Sequence, residues 1–442
     1  MKSARVVVTG LGAVSPLGLS VEQMWSGLRE GRCGIGRIRA FDPTGFPCQL
    51  AGEVPVYRIQ DYVPKTHRKA VKLMCRDIEL AVIAAREAVA GSGLVTKGID
   101  PERVNVDPTR MAVNIGAGII NCDMAELAPA VAAGTIDGRF DIRKFGTDGF
   151  SLVTPLWLLK YLPNMLACHI SIIHDIQGPS NTITCAEASA HLAIGEAAQV
   201  IARGDSDMAL AGGAEAKINP ILLIRQHLLG RMRPASDESP QTMCRPFDAD
   251  AKGSIFAEGA GILMLESLDH AVNRGAQILA EVVGIGQSHA ITPGYDRLEP
   301  DGAGVRIAIE KALADAGIEP GELDLVIPHG TAIPEDDRAE AQALAAALGP
   351  TVETVPVWPT KSMLGTAGAA SGALDVIAAI RAMGEHVIPA ARNFDRLAKG
   401  CRLNIAAKPR ESRIRHALCC SYTHGGQTTA TVLKSFDGVP RR

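Results

Sequence analysis

Short uninterrupted apolar runs alternate along most of this chain with longer segments whose apolar residues recur every three or four positions. The runs at 5–8, 111–115, 208–210, 260–266, 280–284 and 323–328 lack polar alternation, which predicts strands buried on both faces. Segments 21–30, 68–91, 189–203, 304–317, 339–348 and 372–383 carry helical spacing, and several stop at glycine. Two further strands are expected around Gly425-Gly426 at the end of the chain. Strands separated by helices predict an α/β protein with parallel sheets covered on both faces. A glycine-rich turn falls late in each half, at Gly212-Gly213 and Gly425-Gly426, which points to two similar halves, 1–255 and 256–442. No low-complexity linker separates them, and 231–250 is the most loop-like stretch.

Composition narrows the function more than the fold. A chain of 442 residues buries a full core without metals or disulfides. Its 45 basic and 48 acidic residues leave a net charge of −3, which gives no global attraction to nucleic acid or an anionic membrane. Ten scattered cysteines form no C-x-x-C pair, so neither a metal site nor a disulfide framework is expected. The opening MKSARVVVTGLG lacks the apolar stretch of a signal peptide, and the most apolar windows are short and interrupted by Arg86 or Lys160. A cytoplasmic protein is expected. Gly10 and Gly12 follow a strand, but a dinucleotide fingerprint would need a third glycine and a second strand ending in an acid. No cofactor is expected, and Glu335-Asp336-Asp337 reads as a polar loop rather than a metal set.

Several motifs align with one family in chain order. They are Val8-Thr9-Gly10-Leu11-Gly12, Gly178-Pro179-Ser180, Ala211-Gly212-Gly213-Ala214-Glu215 and Arg245-Pro246-Phe247-Asp248. His329-Gly330-Thr331, Lys361-Ser362-Met363-Leu364-Gly365 and Ser421-Tyr422-Thr423-His424-Gly425-Gly426 follow. The chain resembles the β-ketoacyl-ACP synthases along nearly its whole length. The resemblance implies a thiolase-like duplicated fold of five layers, α-β-α-β-α. It also implies a cysteine thiolate at a helix N-terminus, two histidines and a lysine for decarboxylative condensation.

Here the pattern breaks. The family's cysteine lies seven residues after the G-P-S serine and twenty-four before the A-G-G alanine, and both counts reach Glu187. The second histidine, after K-S-x-L-G, is replaced by Thr366, while His329 and Lys361 remain. Cys185 is two residues early and is expected on the preceding strand, pointing away, as a small packing residue. Ser189 and His191 stand at i, i+2 and share no helix face, so they make no dyad. The resemblance therefore assigns the catalytic positions to Glu187, His329, Lys361 and Thr366, and the gating loop to Tyr422, Thr423, His424 and Gly425. His424, where the family is apolar, is read either as a replacement donor or as a plain loop histidine.

A carboxylate at a helix N-terminus is expected to accept from the free backbone amides and so to fill the oxyanion hole. It cannot carry an acyl chain as a thioester. Two carboxylates about 4 Å apart repel by roughly 4 kcal/mol at an effective dielectric near 20, which opposes a malonyl decarboxylase. The leading expectation is a chain-length-factor-like subunit, paired with an active ketosynthase or with itself, that shapes an acyl tunnel. The alternative is an acyl- or malonyl-ACP-processing enzyme, a decarboxylase or acyltransferase, using Glu187 and His329. Acyl carrier protein is the expected second partner. Lys65, Arg68, Lys69 and Lys72, with His67 and Arg76 nearby, are its candidate dock, or else a solvated helix face. Arg225, Arg231 and Arg233 form a weaker second candidate.

Overall fold

The structure, a computed structural model, describes residues 4–235, 239–294 and 297–438. Residues 236–238, within the stretch read as most loop-like, lie outside it. The first half contributes strands β1 (Val6–Val14), β2 (Met111–Ala117), β3 (Ser180–Ile183), β4 (Met208–Ala216) and β5 (Glu258–Ser267). The second contributes β6 (Ala280–His289), β7 (Leu325–Ile327), β8 (Pro356–Val357), β9 (His416–Tyr422) and β10 (Gln427–Lys434). The spatial order is β3-β2-β4-β5-β1 in one half and β8-β7-β9-β10-β6 in the other, so both run third, second, fourth, fifth, first. Strand direction repeats as well. β2 is parallel to β3 and β4, while β5 is antiparallel to β4 and β1. β7 is parallel to β8 and β9, while β10 is antiparallel to β9 and β6. The halves are joined by antiparallel pairing of Val6–Val8 with residues 280–282.

The sheets are therefore mixed rather than parallel, a correction to the sequence reading. Unbroken apolar strands report burial on both faces, and helices supply that burial whichever way the strands run. Helices α1 (Arg76–Ser92) and α2 (Met165–His174) cover the outer face of the first sheet. Helices α3 (Ser189–Ala202) and α6 (Ser371–Glu385) touch strands of both halves and form the middle layer. Helix α4 (Ala303–Ala316) covers the far face, with α5 (Pro334–Leu348) against it. Five layers result. α6 is buried without interruption from Ser371 to Ile380, as a helix sandwiched between sheets must be. Small residues allow the close approach: a Cβ at Gly116 would lie 2.5 Å from the Ser189 carbonyl carbon, and one at Gly372 would lie 2.3 Å from the His191 ring.

The helix expected over 68–91 starts only at Arg76. Lys65–Leu73 is a 3₁₀ segment with no buried residue. In an α-helix its Lys65/Lys69 and Arg68/Lys72 pairs would stack like charges at i, i+4, and no apolar face is buried to offset that.

Candidate functional site

The chain leaves β3 at Ile183 and enters α3 at Ser189 through a 3₁₀ turn, Ala186–Ala188. Ala186 sits at φ +42°, a left-handed conformation that a non-glycine residue adopts only when its surroundings enforce it. Ser189 clamps the turn: its hydroxyl accepts from the Cys185 N–H at 2.8 Å and donates to the Ala117 carbonyl at 3.1 Å. The Ser421 hydroxyl donates to the Glu187 carbonyl at 2.7 Å and fixes the elbow from the second half. The result aims Glu187 inward, where it is only 4% exposed.

The Glu187 carboxylate does not accept from the helix amides, as the sequence reading expected. Lys217 Nζ donates to Oε1 at 2.8 Å, and Oε2 has no partner among the described residues. Lys217 follows β4, lies 3.8 Å from Glu215 Oε1, and packs 5.5 Å from the centre of the Phe256 ring. A buried ammonium at ion-pair distance outcompetes neutral amides for the anion. Burial pushes the Glu187 carboxyl up, but Lys217 and Arg231 more than offset this and hold it well below the usual carboxylate range. Glu187 is ionised. Burial drives Lys217 the other way, yet Glu187 and Glu215 keep its ammonium above the usual lysine value.

The second half brings His329 and Lys361 to the same interior. His329 follows β7 in a loop braced by α5. Glu340 accepts from the His329 and Gly330 amides at 2.6 and 2.8 Å, and Asp337 accepts from Thr331, Ala332 and Phe247. Residues 335–337 are thus the first turn of α5, with Asp336 and Asp337 buried, and not the polar loop expected. The Tyr422 ring stands edge-on to His329 at 4.6 Å. Both His329 ring nitrogens lack partners among the described residues, and burial with Lys361 nearby holds the imidazole neutral. Lys361 donates to Asp375 of α6 at 2.6 Å, and Thr360 donates to the other carboxylate oxygen. Thr366, where the family has its second histidine, is buried and pairs with the Ser254 hydroxyl at 2.7 Å.

Tyr422 ends β9 rather than lying in a loop, while Thr423, His424 and Gly425 form the turn beyond it. His424 is half-buried with Nδ1 unpartnered among the described residues. Cys185 lies after β3, not on it; it is partly buried, and burial pushes its thiol up, away from thiolate chemistry. Arg231 and Arg233 are buried, and Arg231 pairs with Asp336 at 2.8 Å, so they offer no surface for a carrier. Arg76 pairs with Glu258. Lys65, Arg68, Lys69 and Lys72 are exposed without carboxylate partners among the described residues.

Lys217 is the site residue the sequence reading missed, and Arg231, read there as a carrier contact, belongs to the site instead. Glu215 and Lys217 stand at i, i+2 at the end of an apolar strand, where alternation puts both on one face. A cavity of about 340 Å³ reaches the elbow, lined by Gly118, Ile119, Ile120, Tyr161, Thr184 and Ala186 among others.

Duplicated halves, a strained strand-to-helix elbow in the first and a histidine and lysine delivered by the second define a thiolase-like, ketosynthase-type site. Residues 3–271 match the beta-ketoacyl synthase N-terminal domain and residues 279–395 its C-terminal domain. The chain belongs to the β-ketoacyl synthase family. It is 33% identical to 3-oxoacyl-[acyl-carrier-protein] synthase 2 of Vibrio cholerae, covering 98% of this chain and 100% of that one. The Staphylococcus aureus protein of the same name is 32% identical, with 99% of each chain covered. Among solved structures, a beta-ketoacyl synthase from Burkholderia phymatum superposes with a TM-score of 0.86 at 28% identity, covering 99% of this chain and all of the other. The ishigamide ketosynthase/chain length factor superposes with a TM-score of 0.83 at 29% identity, over 98% and 100%. Among the described residues, no helix is long and apolar enough to cross a membrane.

Proposed function

We propose that this chain is a non-condensing ketosynthase subunit. It acts as a chain-length-factor-type partner of an active β-ketoacyl synthase in fatty-acid-type or polyketide biosynthesis, in the cytoplasm. The observation that carries the reading is Glu187 at the elbow, ionised and paired with Lys217, where condensation needs a thiolate. The likeness to a ketosynthase/chain length factor supports it.

The surface supports a partner. β3 is the free edge of the first sheet, and its Ser180 and Asn181 are exposed. Beside it in sequence, Ile119, Phe140, Ile142, Phe150 and Leu156 are each at least half exposed. A free sheet edge, together with exposed apolar side chains in the segment between β2 and β3, favours pairing with a second ketosynthase-type chain, an active subunit or a copy of this one. The elbow cavity is lined by the residues that follow β2 and β3, Ile119 of this exposed set among them, so a partner covering Ile119 would help to close it. Lys65, Arg68, Lys69 and Lys72 are the proposed dock for an acidic acyl carrier protein. Because β5 pairs within the first sheet, we infer that the halves divide after it, later than 255/256.

A second reading has its own observation. Among the described residues, two ring nitrogens of His329 and one oxygen of Glu187 have no partner, while Lys217 neutralises much of the charge that would repel a malonyl group. That arrangement favours an acyl- or malonyl-ACP decarboxylase or acyltransferase. Co-expression with an intact ketosynthase, followed by elongation assays on each subunit and on the pair, separates the two readings. Elongation by the pair alone, with Glu187→Ala leaving chain length unchanged, is expected of a structural partner. Carbon dioxide released from malonyl-ACP by the isolated chain, and abolished by Glu187→Ala, would establish the enzyme instead.

A further inference from the structure

The basic 3₁₀ segment has a second side. Beneath it lies a cavity of about 620 Å³ between that segment and the loop after α1, within the size range of small-molecule sites. Its floor is apolar: Val63, Pro64, Ile99 and Pro101. Five basic residues converge on it, Lys65, His67, Arg68, Arg86 and Lys97, against one acid, Asp61. Lys97 is engaged by Asp175 at 2.6 Å, whereas Lys65, Arg68 and Arg86 have no carboxylate partner among the described residues. Arg86 is only partly exposed, and its one side-chain hydrogen bond is a long one, 3.4 Å to the Gly98 carbonyl.

Half-buried guanidinium groups are ordinarily paired, because their donors lose water without gaining an acceptor. The positive field also reaches inward: burial, with Arg86 and His67 adding to it, lowers neighbouring His174 to about 4. This wall lies on the outer side of α1, across the first sheet from the elbow, so it is independent of the reading given to Glu187.

We infer that this cavity binds a phosphate ester of nucleotide size, its flat apolar body on Val63 and Ile99 and its phosphate held by Arg86, Lys65 and Arg68. Arg86 supplies the forked donors that match phosphate oxygens, and the two exposed cations close over the front. A free molecule and the prosthetic arm of a carrier protein both present such a phosphate, and the test separates the two sources.

The test uses the full chain at low ionic strength, titrated calorimetrically with pyrophosphate and with AMP. Both are expected to bind, AMP more tightly because of the apolar floor, and Arg86→Gln is expected to weaken both by about tenfold or more. Arg306→Ala, which removes an equal charge from α4, is expected to leave binding within about twofold. Lys97→Ala tests the cavity a second way, should Arg86→Gln fail to fold, and is expected to weaken binding about threefold. Equal weakening by Arg86→Gln and Arg306→Ala, or no heat with either probe up to ~10 mM, overturns the inference. Holo carrier protein displaced competitively by pyrophosphate would identify the carrier's arm as the phosphate source; undisturbed carrier binding would identify a free ligand.

Discussion

Each half of the molecule buries a lysine hydrogen-bonded to a carboxylate, Lys217 to Glu187 and Lys361 to Asp375, and the two pairs differ in how completely they are finished. In Lys361–Asp375 both carboxylate oxygens are taken, by Lys361 and Thr360, and the pair ties the loop after β8 to α6. In Lys217–Glu187 one oxygen is bonded and the other, among the described residues, is unpaired, as are both ring nitrogens of nearby His329. A closed pair is a structural brace. An open pair leaves polar atoms facing the interior, between the elbow, the His329 loop and the serine clamp.

The largest effect is expected from breaking the closed pair. Asp375→Ala leaves Lys361 buried and uncompensated, at a cost of about 3–5 kcal/mol in denaturant unfolding. A loss under about 1 kcal/mol would show that Lys361 finds water or another acceptor, and the contrast between the pairs would disappear. Lys217→Met comes next, at about 2–3 kcal/mol, because Glu187 still has Arg231 in range. Adding Glu187→Gln to Lys217→Met is expected to recover part of that loss, since Glu187's charge goes with it while Glu215 still lacks its lysine. Additive losses in this cycle would mean that the two side chains do not act as a unit.

This second pair also marks where sequence reading stopped. The resemblance, with counting between its motifs, singled out Glu187, His329, Lys361 and Thr366, and the structure buries all four. Glu187's partner could not be counted. Lys217 lies thirty residues on, at the end of the neighbouring sheet region, and only the β3-β2-β4 order brings it to the elbow. A capping rule for isolated helices predicted amides instead, and it lost to a buried cation. Charge counting failed differently at 65–76, where helical periodicity continued across a break that only burial reveals.

The halves can be compared by pH as well. Asp77 accepts from the Ala216 amide behind the Glu187–Lys217 pair, and Glu340 braces the His329 loop. Burial raises each to about 7: the Ala216 amide opposes it at Asp77 while Glu215 adds to it, and the Gly330 and His329 amides oppose it at Glu340. Unfolded carboxyls titrate near 4, so the folded protein holds these protons more tightly. Their contribution is complete below about pH 4 and is lost as pH rises through about 7. Stability should therefore fall between those limits by at most about 1.4 kcal/mol per pH unit for each group. Asp77→Asn, which keeps an acceptor for Ala216, should remove one group's share of that slope. An unchanged slope would place the titration elsewhere.

The smallest effect on the fold, and the one that separates folding from partner choice, concerns Lys69 and Lys72. Both are exposed and lack carboxylate partners among the described residues, on a 3₁₀ segment that buries nothing. Reversing both to Glu should change unfolding free energy by no more than about 0.5 kcal/mol, the usual range for such surface sites. It should nevertheless weaken association with an acidic carrier protein. That weakening should fade with added salt, because charges in water are screened over about 10 Å at 0.1 M. These exposed cations contrast with the second half's Lys361, which is sealed from solvent. Unchanged carrier binding in the doubly reversed protein would mean that the segment is a solvated face and that the dock lies elsewhere. Weakened binding with an unchanged fold would show that this segment is a surface that meets the carrier.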